Sequence, residues 1–169
     1  MNATIVIDNP NAESRLISHR IKFIPFPSRD PSESRRQKTE NQMLIQLTSE
    51  KKLDEIIMST PSLAQERKWG VLGEHDLRAK LQEKGFPIDR EVRVLEVCSP
   101  AFAQKALESN VAISVFMPCR ISLWEEDGKT VLSTVKPTVL LQMAQDDSLA
   151  DLAIQAENEI HDLMKAMAG

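Results

Sequence analysis

Cysteine is scarce in this chain of 169 residues: Cys98 and Cys119 are the only two. Two thiols are too few for a disulfide framework, and their separation does not match the closely spaced ligand pairs of a zinc site. A reducing compartment is the simpler reading, so a cytoplasmic location is expected. Glycine is also sparse, and the five residues never cluster. That removes the phosphate-cradling loop, and no serine is flanked by glycines as a hydrolase nucleophile would be. Of the three histidines, no two stand at helical spacing to hold a metal ion, so neither metal nor cofactor is expected. His19 and His161 carry no motif.

Basic charge is in deficit too. The net charge of −4 and pI of about 5.5 lack the excess of Lys and Arg that a phosphate-tracking surface needs, which argues against nucleic acid as a partner. No apolar run approaches a membrane span, and the first thirty residues show no basic start followed by an apolar stretch and a small-residue cleavage site. The expectation is a soluble protein that is neither secreted nor bound to a membrane.

What is present divides the chain near residue 42. Residues 1–42 hold four of the nine prolines, with seven Lys or Arg against five Asp or Glu, a charge of +2. The rest has fourteen against twenty, a charge of −6, so the two parts attract weakly. The first segment is expected to be a loosely ordered polar tail, or one that adds a strand through Thr4–Ile7 or Ile21–Phe26. Residues 43–169, with most of the apolar periodicity, make one domain.

Within that domain the pattern predicts a strand from Met43 to Leu47. A helix capped by Ser49 follows, kinked or split by Pro61. Trp69, Val71 and Leu72 predict a second strand, and Asp76 caps a short helix that Gly85 ends. Val92 to Cys98 is a clear strand, followed by a helix with Ser99 at its cap and Pro100 in its first turn. Val111 to Trp124 is rich in β-branched residues and predicts a strand interrupted at Pro118. Asp127-Gly128 marks a tight hairpin with Thr130–Val135 returning, and a short helical stretch reaches Met143. Leu149, Leu152, Ala153, Ala156, Ile160, Leu163, Met164 and Met167 then form the apolar stripe of a long terminal helix. The fold class is α+β: a mixed or antiparallel sheet backed by helices, with a long amphipathic helix at the C-terminal end.

Three blocks, WGVLGEHD at Trp69–Asp76, VLEVCSPAFAQKAL at Val94–Leu107 and MPCR at Met117–Arg120, give the chain a resemblance to the family of domain of unknown function 302. The resemblance spans about Met43 to Ala168. It implies a curved sheet backed by helices, in the manner of the TATA-binding-protein architecture, and a tendency to pair as a homodimer. An architecture does not import DNA binding. Ser99 stands where that family usually has Asn, and Trp69 where it usually has Phe. Ser caps a helix about as well as Asn, but a role needing the amide side chain is put in doubt.

Cys98 is the leading chemical candidate, because a thiol at a strand end just before a helix start is placed where the helix dipole favours a thiolate. If Cys119 lies beside it, the pair can form a reversible disulfide, hold a soft metal ion or serve as nucleophile and resolving thiol. Buried cysteine also acts as a small hydrophobe, which is the competing reading. Ser99, Pro100, Pro118 and Arg120 would then rim a small-ligand groove. Glu74 and His75 are acid and base candidates, against which Asp76 already has a structural job as a cap. Trp124 is a candidate dimer anchor or a cross-strand packing residue. Two functions follow: a homodimeric binding or interaction module for a small ligand or protein, or a thiol-dependent redox or soft-metal protein.

Overall fold

The computed structural model of the chain describes residues 43–144 and 147–169. The expectations for residues 1–42 lie outside them. In chain order the elements are β1 (Leu44–Ser49), α1 (Leu53–Glu66), β2 (Gly70–Asp76), α2 (Leu77–Glu83), β3 (Val92–Cys98) and α3 (Pro100–Ser109). A 3-10 turn over Val111–Phe116 leads to β4 (Cys119–Glu126), β5 (Lys129–Val135) and α4 (Pro137–Ala144). A second 3-10 turn at Asp147–Leu149 precedes α5 (Ala150–Ala168).

The five strands form one sheet in the order β1-β5-β4-β3-β2, and every neighbouring pair is antiparallel. Of the two sheet types left open by the sequence, the antiparallel one is therefore realised. The β4–β5 hairpin turns at Asp127 and Gly128, whose φ angles of 50° and 79° match the positive values that a two-residue turn demands. Side chains alternate across each strand. Ile45, Leu95, Val97, Ile121, Leu123 and Leu132 thus face the helices and pack with Leu53 and Ile56 of α1 and Ile160, Leu163, Met164 and Met167 of α5. The other face carries Val92, Val94, Glu96, Arg120 and Trp124, with Trp124 registered against Val92 and Val131.

Four local expectations need correction in whole or in part. Of the kink or split expected at Pro61, the split does not occur, for α1 runs unbroken through it. Proline removes one intrahelical bond, but Ile56, Thr60 and Ala64 are buried on both sides of it, and the Thr60 hydroxyl donates to the Ile56 carbonyl at 2.6 Å. Ser49 does not cap α1. Lys52 occupies the cap position, and the Ser49 hydroxyl instead donates to the Ala168 carbonyl at 2.6 Å, tying β1 to the end of α5.

The predicted strand from Val111 is a 3-10 turn as far as Phe116. Asn110 starts it by accepting from the Ala112 amide at 3.0 Å, a local bond that competes with strand pairing. The Met117–Pro118 peptide is cis, and the strand begins only at Cys119. Finally, β2 extends through Glu74, His75 and Asp76, with a register shift between Val71 and Gly73. The three ionisable residues expected between strand and helix are in the strand itself. Asp76 does cap α2, its carboxylate accepting from the Ala79 amide at 2.8 Å.

Candidate functional site

The first turn of α3 is built as the sequence requires in all but one respect. Ser99 takes an extended backbone (φ −99°, ψ 116°) and Pro100 sits in the first turn, where its missing N–H costs nothing. The Ser99 hydroxyl, however, makes no capping bond to that turn, although the residue is only 4% exposed. Ser99 is one of the residues that line a cavity of ≈ 110 Å³.

That cavity lies where the ends of β3 and β4 meet three helices. Its floor includes Val97, Cys98, Ser99, Pro118 and Cys119. Helix α3 contributes Phe102, Ala103 and Ala106, and α5 contributes Leu152, Ala153 and Ala156. Ile113, Phe116 and Met117 from the first 3-10 turn and Leu140 and Leu141 from α4 complete the wall, with Trp69 at the edge of the core. Trp69 is held by its indole N–H, which donates to Glu159 at 3.0 Å, and by a tilted contact with Phe102 at a ring separation of 6.3 Å.

The reason for the space can be read from side-chain size. Ala103 and Ala106 are three apart on α3, as are Ala153 and Ala156 on α5, and three-residue spacing puts each pair on one helix face. Methyl groups on both facing helices are too short to close the gap. This alanine pairing is the sequence signal that motif reading passed over, together with the aromatic Phe102 and Phe116.

Cys98 and Cys119 are both among the residues that line this cavity, and both are free thiols. Cys119 lies across from Val97 in the β3–β4 ladder, so it is offset by one position from Cys98. Neither thiol is activated. Burial raises the Cys98 thiol above its ordinary value, against the expectation from its place before a helix. Burial pushes Cys119 up to about 11, and repulsion from a Cys98 thiolate adds to the effect. Loss of solvation is the cause of the Cys98 shift.

The remaining site candidates are dispersed. Pro118 lines the cavity, whereas Pro100 is exposed and Arg120, with a side chain 67% exposed, leans on Glu96 at 3.8 Å outside the wall. Glu74 and His75 are neighbours in a strand and so point to opposite faces of the sheet. Glu74 accepts from Arg93 at 2.7 Å, on the helix side. His75 faces Glu96 at 3.3 Å and Lys80 at 3.0 Å on the other. They cannot act together on one substrate, and neither reaches the cavity. Among the described residues no group of three or more His, Cys, Asp or Glu is arranged to hold a metal ion. No helix of the described residues is long and apolar enough to cross a membrane.

A broader depression of ≈ 600 Å³ lies between Arg67 and the α5 residues Glu159, Asp162, Lys165 and Ala166. Its charges already have partners: Lys165 pairs with Asp162 at 2.6 Å and Glu159 accepts from Trp69. The apolar cavity is the better candidate, because concave carbon-rich walls with a few polar groups are what small-molecule sites share.

No curated protein matches the chain. Among solved structures, an uncharacterized conserved protein DUF302 from Bacillus stearothermophilus superposes with a TM-score of 0.70 at 27% identity, covering 75% of this chain and 98% of the other. The family model for domain of unknown function DUF302 matches residues 45–167, which include all five cavity-floor residues. The chain belongs to the DUF302 family.

Proposed function

We propose that this domain is a binding module without turnover, which holds a small apolar ligand in the cavity between α3, α5 and the ends of β3 and β4. The observation that carries the reading is the makeup of the wall. Hydrocarbon and aromatic side chains from every neighbouring element converge there, and no charged residue is among them. Burying apolar ligand surface contributes roughly 25 cal/mol per Å², and a preformed wall spares the cost of ordering it. Acid–base catalysis finds no support in the same place, since Glu74 and His75 lie elsewhere and apart.

The test uses benzene as a neutral probe, followed through the methyl resonances of Ala103, Ala106, Ala153 and Ala156. Saturable shifts confined to those methyls support the reading, and Ala153→Leu, which fills the space, is expected to abolish them. Absence of any saturable shift in the wild-type protein would sink it.

Homodimerisation is the second part of the proposal, with the sheet face around Trp124 as the contact. The face carries charges of both signs, Glu96 and Arg120, which suits it to meet a second copy of itself across a two-fold axis. Sedimentation equilibrium should give a dimer that Trp124→Glu dissociates and that Val115→Glu, on the turn beside the cavity, leaves intact. A monomer at all concentrations counts against this part alone.

A thiol-dependent redox or soft-metal role is the alternative. In its favour, Cys98 and Cys119 share one cavity. Against it, burial holds both as neutral thiols, the form that neither attacks nor ligates.

A further inference from the structure

Ser99 presents an unusual combination. It is 4% exposed, it lines the cavity, and its hydroxyl has no hydrogen-bond partner among the described residues. The Ser99 oxygen keeps some accessible surface, since Arg93 Nε is the one fully buried side-chain N or O atom without a partner among the described residues, so the hydroxyl is open to a partner from outside the chain. The natural outlet, capping α3, is not used. As a result the first-turn amides of α3 at Ala101 and Phe102 receive no acceptor from Ser99, and Pro100 before them has no N–H. One corner of a hydrocarbon cavity therefore offers a hydroxyl donor beside the positive end of a ten-residue helix.

Resting on the proposed function above, we propose that the ligand is a neutral, carbon-rich molecule about the size of one six-membered ring, bearing a carbonyl or ether oxygen that accepts a hydrogen bond from Ser99. Size follows from the volume. The cavity's ≈ 110 Å³ is somewhat smaller than the roughly 150 Å³ of an apolar cavity that holds benzene, so one ring is the upper limit. The acceptor follows from the donors at the α3 end. Neutrality follows from the wall, where no cationic side chain stands to offset a carboxylate. The upward displacement of both thiols reports the same penalty on negative charge.

The experiment compares three probes of one ring size: cyclohexane, cyclohexanone and cyclohexanecarboxylate. Each is titrated into the full chain and into Ser99→Ala and Ser99→Thr, with the alanine methyls of α3 and α5 as readout and thermal unfolding as the check on folding. The expected result is saturable binding of cyclohexanone that Ser99→Ala weakens roughly 2- to 12-fold, the worth of one hydrogen bond. Ser99→Thr restores it, and cyclohexane binds the two proteins alike. Equal cyclohexanone affinity in wild type and Ser99→Ala would overturn the hydroxyl anchor while leaving the cavity reading intact. Tighter binding of the carboxylate would overturn neutrality. If neither cyclohexane nor cyclohexanone moves the methyls, the binding reading and this inference fail together.

Discussion

Cys119 stands opposite Val97 in the β3–β4 ladder, one position short of Cys98, and both cysteines are among the residues that line the same apolar cavity. The neighbourhood that brings them together also desolvates them. Their reactivity is accordingly expected to be low near neutral pH, with Cys119 the slower because it is the more deeply buried. Alkylation rates for each thiol, measured by mass spectrometry against pH with and without added copper(I), check this. Rapid modification of Cys98 at neutral pH would instead support the thiol-dependent alternative.

The Cys119 thiol also links stability to pH. Its folded value of about 11 exceeds the ordinary 9.0, so the folded state holds the proton more tightly than the unfolded chain. The contribution is complete below pH 9.0 and is lost as pH rises toward about 11. Its size is roughly 2–3 kcal/mol, from about 1.4 kcal/mol for each tenfold change. Urea unfolding of wild type and Cys119→Ala should show the difference between them shrinking over that interval. A constant difference would mean that the thiol does not titrate as its burial implies.

Removing side chains from α5 and α1 should separate core from surface. Leu163 is fully buried against the sheet, and Leu163→Ala is expected to cost about 2–5 kcal/mol. Met58 is 82% exposed on α1, and Met58→Ala should stay within about 0.5 kcal/mol. Chemical denaturation reports both.

Two helix starts offer a matched comparison. Asp76→Ala removes a carboxylate that caps α2 and also faces Arg93 at 3.2 Å, so a loss of about 0.5–2 kcal/mol or more is expected. Ser99→Ala removes a hydroxyl that caps nothing and should leave the unfolding midpoint close to wild type. A large loss in Ser99→Ala would show that its hydroxyl supports the folded protein directly.

Arg93 gathers four carboxylates around one guanidinium: Glu74 at 2.7 Å, Glu91 at 2.9 Å, Asp76 at 3.2 Å and Asp54 at 3.9 Å. Its Nε, nearest Asp76, makes an electrostatic contact and not a directed hydrogen bond. Arg93→Gln leaves the acids to repel one another, and salt screens such repulsion. Thermal unfolding of the variant should recover toward wild type as ionic strength rises; an unchanged gap would mean that lost packing dominates.

The elements legible in the sequence were those whose signals are local. Asp127-Gly128 announced its hairpin because the turn angles suit those two residues, and Asp76 announced a helix start. The apolar stripe from Leu149 to Met167 announced α5. The errors arose where a local rule met a distant partner. Pro61 did not split its helix, where Ile56, Thr60 and Ala64 are buried on both sides of it, and Ser49 was taken from its expected cap by the carbonyl of Ala168. In the Val111–Phe116 segment β-branched residues suggested pairing, but the Asn110 side chain closed a turn first.

The same division holds for the site. Sequence alone marked Cys98, Cys119, Ser99 and Pro118, because a cysteine at a strand end, a serine at a helix start and a proline beside a strand have local signatures. It also marked Glu74 and His75 as a pair, and there alternation along β2 sends the two side chains to opposite faces. Only the tertiary structure decided that Ala103 and Ala106 face Ala153 and Ala156 across a gap, since a cavity is a property of side chains that fail to meet, and that depends on how far apart packing holds their helices. It likewise decided that both thiols stay neutral, because desolvation is set by the whole enclosing wall, to which residues from Trp69 to Ala156 contribute.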